Sequence, residues 1–217
     1  MENKRIKVAV AKGRILEEVC DLLSASGYPT NTINKKTRQL IFEIKDLTIL
    51  ACKPADVTKY VDLGAADCGI VGSDCIMETN YEIYESLTLS IGKCKMVLAC
   101  LKNKKLVLTP GMDLKIGTKY PKITKAFFAK KKIFPEIVYL NGSVELAPAV
   151  GLCDAIVDIT ETGSTIKENN LKVVDSLHDI CAKLVMNRAS YRIYSQELKE
   201  LALALSNKNK KIFLLIP

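Results

Sequence analysis

Tryptophan is missing from this 217-residue chain, histidine occurs once, and aromatic residues make up only 6% of it. So thin an aromatic set offers no stacking platform for nucleic-acid bases. The single histidine, His178, lies in a segment of mixed polarity with no Ser or Cys nucleophile signature beside it. A catalytic triad is defined by the geometry of its partners, and none is visible in the sequence. Eight cysteines are present, yet no two form a Cys-x-x-Cys pair, so the spacing of zinc sites is absent. Most sit in apolar runs such as Val97-Leu-Ala-Cys100, where a reduced cysteine packs as a small hydrophobe. No apolar run reaches membrane-spanning length, and charges from residue 2 onward leave no apolar signal core. A soluble, cytoplasmic, reduced protein is expected. Basic residues outnumber acidic ones, 32 to 24, but no basic block is long enough to serve as a nucleic-acid arm. The longest, Lys130-Lys131-Lys132, falls at the end of an amphipathic helical pattern, where cations complement the helix dipole. The net charge of +8 therefore suits small polyanionic substrates better than nucleic acid.

What is present is an alternation of short apolar strands and amphipathic helices. Residues 7–11 read as a buried strand that turns through Lys12-Gly13-Arg14 into a helix with Ile15, Leu16, Val19, Cys20, Leu22 and Leu23 at helical spacing, ending near Gly27. Residues 39–44 and 47–52 form a hairpin pattern around Lys45-Asp46. Pro54 opens a helix with Val57, Tyr60 and Val61 on one face, and residues 68–72 give another strand. Beyond residue 90 the pattern predicts strands at 95–101, 115–118, 136–140 and 155–159. Helices are predicted at 121–131, with Ile123, Phe127 and Phe128 inward, and at 144–150. Residues 171–186 read as extended and 196–205 as a helix. This is α/β architecture with mainly parallel sheets. The few units per half suggest two lobes: residues 1–90 with 179–217, and an inserted lobe of residues 91–178. A central cleft between lobes, facing the carboxyl ends of strands, is where such sheets hold ligands.

Three strand ends carry chemistry. The apolar run Ala155 to Val157 stops at Asp158 and opens into Thr160-Glu161-Thr162-Gly163-Ser164-Thr165 before a short helical segment. Glycine lets backbone approach an anion, N–H groups at a helix start point outward, and hydroxyls donate further bonds, so this loop can cradle a phosphate. The same residues would also serve as a plain helix cap. The neighbouring acid can meet sugar hydroxyls or a phosphate-bound cation, which points to a sugar phosphate. The other two ends are Lys12-Gly13-Arg14 and Gly72-Ser73-Asp74, where Asp74 could meet a ligand or cap the following helix.

Taken together, these residues resemble ATP phosphoribosyltransferase, the enzyme that opens histidine biosynthesis. The resemblance rests on Val8-Ala-Val-Ala-Lys-Gly-Arg-Ile-Leu16, on residues 60–74, on Gly117-Thr-Lys-Tyr-Pro121, on Leu140-Asn-Gly-Ser-Val-Glu-Leu-Ala-Pro148 and on residues 156–165. It runs in family order from about residue 6 to about residue 205. It implies a two-lobed fold like the type II periplasmic binding proteins. The implied reaction joins N1 of ATP to C1′ of phosphoribosyl pyrophosphate (PRPP), with Mg²⁺ present and pyrophosphate expelled. By the same resemblance, residues 160–165 would hold the 5-phosphate of PRPP and Asp158 its ribose hydroxyls or a metal-linked water. Asn141, Gly142, Ser143 and Glu145 would line that pocket. No residue is assigned as a direct metal ligand. Gly72, Ser73 and Asp74 would face ATP. Negative charge builds on a departing pyrophosphate, so cations should gather there, and Lys12, Arg14, Arg38 and Lys53 fit that need. Many relatives carry Lys where Ser73 stands and Arg where Lys53 stands, and the two cations are not interchangeable toward phosphate. The chain resembles the short form, which works with a regulatory subunit similar to histidyl-tRNA synthetase, and a homodimer within a hetero-oligomer is expected. The apolar Ile212-Phe-Leu-Leu-Ile216 reads either as an added strand or as a subunit contact.

Two rival readings are a two-lobed solute-binding protein that does no chemistry and a salvage-type phosphoribosyltransferase. The first is disfavoured by the missing signal core. The second usually places two adjacent acids before its phosphate loop, whereas here Ile159 follows Asp158.

Overall fold

The computed structural model describes residues 5–33 and 38–206, and the apolar stretch at 212–216 lies outside them. The chain divides into two compact units, one of residues 1–92 with 181–217 and one of residues 93–180.

The first unit is built on a six-stranded sheet. Its strands are β1 (Ile6–Ala11), β2 (Ile41–Ile44), β3 (Leu47–Cys52), β4 (Cys68–Gly72), β5 (Ile83–Thr88) and, after the excursion into the second unit, β11 (Ala182–Asn187). They lie in the order β2-β3-β1-β4-β11-β5. Strands β3, β1 and β4 run parallel at the centre, while β2, β11 and β5 pair antiparallel toward the edges. Every residue of β4 is buried, as a central strand covered on both faces requires. Helix α1 (Arg14–Ala25) lays Leu16, Val19, Cys20 and Leu23 into the core and packs beside α7 (Ser195–Leu205), which contributes Leu198, Leu201, Ala202 and Leu205. Helix α2 (Pro54–Asp62) covers the other face with Val57 and Val61. Tyr60, expected on that face, is 42% exposed. The buried stripe runs through Val57, Thr58 and Val61, and Tyr60 falls more than a quarter-turn from its centre. Helices α3 (Ser73–Glu78) and α6 (Arg188–Ile193) are short.

The second unit holds a five-stranded sheet in the order β10-β6-β9-β7-β8. The strands are β6 (Cys94–Leu101), β7 (Lys115–Thr118), β8 (Glu136–Tyr139), β9 (Ala155–Thr160) and β10 (Leu171–Ile180). Strands β8, β7 and β9 are parallel, and β6 and β10 add antiparallel pairings. Both sheets are thus mixed, with their parallel pairings grouped together. Helix α4 (Pro121–Ala129) buries Ile123, Thr124 and Phe128, whereas Phe127 is only half-buried beneath the Lys131 ammonium. Helix α5 (Ser164–Glu168) follows β9.

The helix expected at residues 144–150 is absent. A single 3-10 turn, Val144–Leu146, takes its place and leads into further turns. Two features stop a helix there. Ser143 adopts a left-handed backbone (φ 48°), and Pro148 cannot donate the N–H that a helix would need from it. The backbone closes instead through bonds from the Leu146 N–H to the Ser143 carbonyl (3.2 Å) and from the Ala147 N–H to the Val144 carbonyl (3.1 Å). The extended stretch at 171–186 is two strands, β10 and β11, parted at Cys181 and belonging to different units. None of the eight cysteines is assigned to a disulfide. Among the described residues no helix is long and apolar enough to cross a membrane.

Candidate active site

In the second unit, three loops leave the same edge of the sheet, because β8, β7 and β9 are adjacent and parallel. The carboxyl ends of parallel strands are where sheets of this kind hold ligands. Behind β9 comes the hydroxyl-rich loop. Gly163 takes the left-handed conformation (φ 76°) and caps α5. Its N–H donates to Thr160 Oγ1 at 3.1 Å. The Thr162 hydroxyl donates to Ser164 Oγ at 3.0 Å, and the Ser164 N–H approaches Thr162 Oγ1 at 3.4 Å. Glu161, Thr162, Ser164 and Thr165 are exposed, so a turn already closed by its own hydroxyls still presents donors to solvent.

Behind β8 comes the loop of Asn141, Gly142 and Ser143, all exposed, with Asn141 Oδ1 accepting from the Tyr139 hydroxyl at 3.1 Å. A non-glycine residue in the left-handed region stores strain, and such residues cluster where a ligand or a switch needs them. Val144 and Ile166 share one buried cluster with Ile156, and this contact holds the Ser143 loop and the α5 loop to the same core.

Near the end of β9, just before the hydroxyl-rich loop, lies Asp158, with its side chain 20% exposed. Burial pushes its carboxyl up from the ordinary value. The nearby Lys119 ammonium and the Ile159 N–H pull it down, and the Glu145 carboxylate pushes it up again. Lys119 Nζ stands 3.6 Å from Asp158 Oδ1. Nothing in the sequence marks Lys119 as a site residue. It was hidden inside the Gly117-Thr-Lys-Tyr-Pro121 segment, and only the pairing of β7 with β9 sets it beside Asp158.

The first unit repeats the arrangement. Ala11 and Cys52 are partners in the β1–β3 register, so Lys12 and Lys53 leave adjacent strand ends together, and the Lys12 N–H donates to the Cys52 carbonyl at 2.9 Å. Both lysines are exposed. Burial raises the half-buried Cys52 thiol to about 11, Asp56 adding to the rise and Lys12 opposing it. Arg14 opens α1, half-buried, with Nε 4.0 Å from Glu18 Oε1. Exposed Arg38 precedes β2, which enters at the edge where β3 leaves, since Ile41 lies opposite Leu50. Behind β4, Ser73 and Asp74 are buried. The Ser73 N–H donates to the Cys181 carbonyl at 2.9 Å, and Asp74 folds back so tightly that a Cβ on Gly72 would lie 2.2 Å from its Oδ1. Asp74 is not the cap of α3; that position is Gly72, and no side chain caps it. Lys12, Lys53, Gly72, Ser73 and Asp74 are thus gathered on one edge of the first unit. Asn141 to Glu145, Asp158 and residues 160–165 are gathered on one edge of the second.

Two mixed α/β units, each with polar and charged loops behind its parallel strands, define a fold of the periplasmic-binding-protein type. A histidine kinase sensor domain with similarity to periplasmic binding proteins shares it at TM-score 0.59 and 12% identity, covering 94% of this chain and 91% of that one. Residues 53–207 match the family model of ATP phosphoribosyltransferase. An ATP phosphoribosyltransferase from Clostridium botulinum (strain Okra / Type B1) is 43% identical over 199 residues, spanning 90% of this chain and 93% of the relative. The ATP phosphoribosyl transferase (HisG:HisZ) complex from Thermotoga maritima contains a chain with TM-score 0.78 and 35% identity, covering 92% of this chain and 96% of that one. The chain belongs to the ATP phosphoribosyltransferase family, whose members carry out the first step of histidine biosynthesis from PRPP and ATP.

Proposed function

We propose that the second unit's edge holds PRPP and the first unit's edge holds ATP and the cations that meet pyrophosphate. The observation that carries the first half is that three loops leave one strand edge, with Asp158 near the end of β9 facing the Lys119 ammonium. In this reading residues 160–165 hold the 5-phosphate, with Gly163 allowing close backbone approach and Thr162, Ser164 and Thr165 donating hydroxyls. Asp158 accepts from ribose hydroxyls or a metal-linked water, and Asn141, Gly142, Ser143 and Glu145 line the pocket. Gly72, Ser73 and Asp74 face ATP.

The chemistry asks little proton transfer of the protein. N1 of adenine is already nucleophilic and attacks C1′ as the bond to pyrophosphate breaks, so no general base is required. Charge accumulates on the leaving group, and Lys12, Arg14, Arg38 and Lys53 are the residues proposed to stabilise it. The residues present suit Mg²⁺ carried on substrate. Among the described residues no group of three or more His, Cys, Asp or Glu could hold a metal. Mg²⁺ in such sites keeps waters and binds chiefly through substrate phosphates, with few carboxylates nearby. Asp158 and Glu145 would face it through water, and when bound it would neutralise part of the pyrophosphate charge.

The Thermotoga maritima protein of similar fold was solved as a HisG:HisZ complex. A HisZ-type regulatory subunit, similar to histidyl-tRNA synthetase, is accordingly proposed as a partner, with a homodimer of this chain inside the hetero-oligomer. The deciding assay incubates the chain with ATP, PRPP and Mg²⁺, with and without the regulatory subunit. Phosphoribosyl-ATP is the expected product, and its absence under both conditions would sink the reading.

A further inference from the structure

We propose that Lys119 is a positioning residue of the PRPP site, holding the Asp158 carboxylate in place to accept from the ribose hydroxyls; this rests on the assignment of PRPP to the second unit's edge. The geometry is built from the sheet outward. Thr118 and Val157 are partners in the β7–β9 register, so Lys119 and Asp158 are the next residues out on neighbouring parallel strands. The level below them is pinned by a fully buried hydroxyl. Thr118 Oγ1 donates to the Val157 carbonyl at 2.7 Å and accepts from the Tyr120 N–H at 2.9 Å. The two backbones flanking the pair are therefore tied together through one side chain.

Above that tie the two charges meet. Lys119 Nζ is 3.6 Å from Asp158 Oδ1, with side chains 35% and 20% exposed, and the ammonium also lies 5.0 Å from the centroid of the Tyr120 ring. The Ile159 N–H donates to the same Oδ1 at 2.8 Å, so a backbone donor and the ammonium together hold the carboxylate at the strand end. The charged groups acting on Asp158 are Lys119 and Glu145, of opposite sign. A half-buried carboxylate beside another carboxylate would drift toward its protonated form without a cation, and a protonated acid is a poor acceptor for sugar hydroxyls. Lys119 is the group that opposes this drift.

The test measures PRPP affinity by calorimetry with MgCl₂ on the full chain, for Lys119→Gln, Lys119→Arg, Asp158→Asn and the Lys119→Gln/Asp158→Asn pair. Lys119→Gln should weaken PRPP binding about tenfold, less than for a fully buried pair because both groups keep some solvent. Lys119→Arg should restore most of it, ATP affinity should not change, and the melting curve should stay close to the parent's. The acid limb of PRPP binding should move to higher pH in Lys119→Gln. In the Asp158→Asn background, Lys119→Gln should have almost no further effect. An undiminished effect in that background would overturn the proposal, because Lys119 would then act on the ligand independently of Asp158. An unaltered PRPP affinity in Lys119→Gln would overturn it too. Thr162→Val/Thr165→Val separates the two levels of failure. If it weakens PRPP binding while Lys119→Gln does not, only the role of Lys119 falls; if neither does, the assignment of PRPP to this edge falls with it.

Discussion

Gly163 and Gly151 offer a matched pair for separating folding from function. Both belong to the second unit, both have φ 76°, and a Cβ added at either would meet nothing within 4 Å. Alanine at either position therefore adds the same thing, backbone strain without a clash. That strain costs about 1–2 kcal/mol for a residue with a Cβ in the left-handed region. For a chain of this size each kcal/mol lowers the melting temperature by roughly 2–4 °C. Gly163→Ala and Gly151→Ala should accordingly lower it by similar amounts, somewhere in the range of about 2–8 °C. Their effects on substrate should part. Gly163 caps α5 behind β9, on the proposed PRPP edge, whereas Gly151 precedes β9 at the opposite edge. If the loop relieves its strain by rotating the N–H groups after Gly163 away from the phosphate, even one lost charge-assisted bond of about 1.5–3 kcal/mol raises the PRPP KM about tenfold or more. The assay is steady-state kinetics with each substrate varied in turn, alongside a thermal melt. Equal PRPP KM values in the two variants, with equal loss of stability, would refute the phosphate-loop reasoning.

Two further outcomes follow from the same edge. Asp158→Asn should be more stable than the parent at neutral pH, since burial raises this carboxyl in the folded state and its ionised form weakens the fold there. The advantage should shrink as pH falls through the raised value and vanish below the ordinary carboxylate range, which urea denaturation at a series of pH values would reveal. The variant should also lose PRPP affinity. Thr118→Val should cost about 1–3 kcal/mol, because it removes a fully buried hydroxyl that bonds both the Tyr120 N–H and the Val157 carbonyl. Chemical denaturation measures that cost, and a loss under 0.5 kcal/mol, or about half the usual net worth of one hydrogen bond, would contradict it.

Most of the framework was legible because its strands are apolar runs and its helices carry clear stripes. Leu16, Val19 and Leu23 of α1 and Leu198, Leu201 and Leu205 of α7 lie in the core, as their spacing implied. Strand β5 escaped notice since it buries only Ser86 and Leu89 lies beyond its end. Helix α6 escaped because Ser190 is its only buried residue, so no stripe announces it. Its start was signalled all the same by Asn187, whose Oδ1 accepts from the N–H groups of Ala189 and Ser190. The turn at residues 144–146 carries apolar spacing that suits a helix, and this masks the stop that Pro148 provides. In the site, residues 160–165 were visible because they are contiguous. The meeting of Lys119 with Asp158 was not, because strand order rather than sequence spacing brings them together.

PRPP affinity in Thr162→Val/Thr165→Val, set beside ATP affinity in the same protein, bears most directly on the central assignment. Both residues are exposed, so the buried core is untouched; phosphate contacts are lost together with the bonds between Thr162 and Ser164 that close the turn. Two bonds to a charged group at about 1.5–3 kcal/mol each imply at least about a hundredfold weaker PRPP binding with ATP binding unchanged. A change confined to ATP would contradict the account.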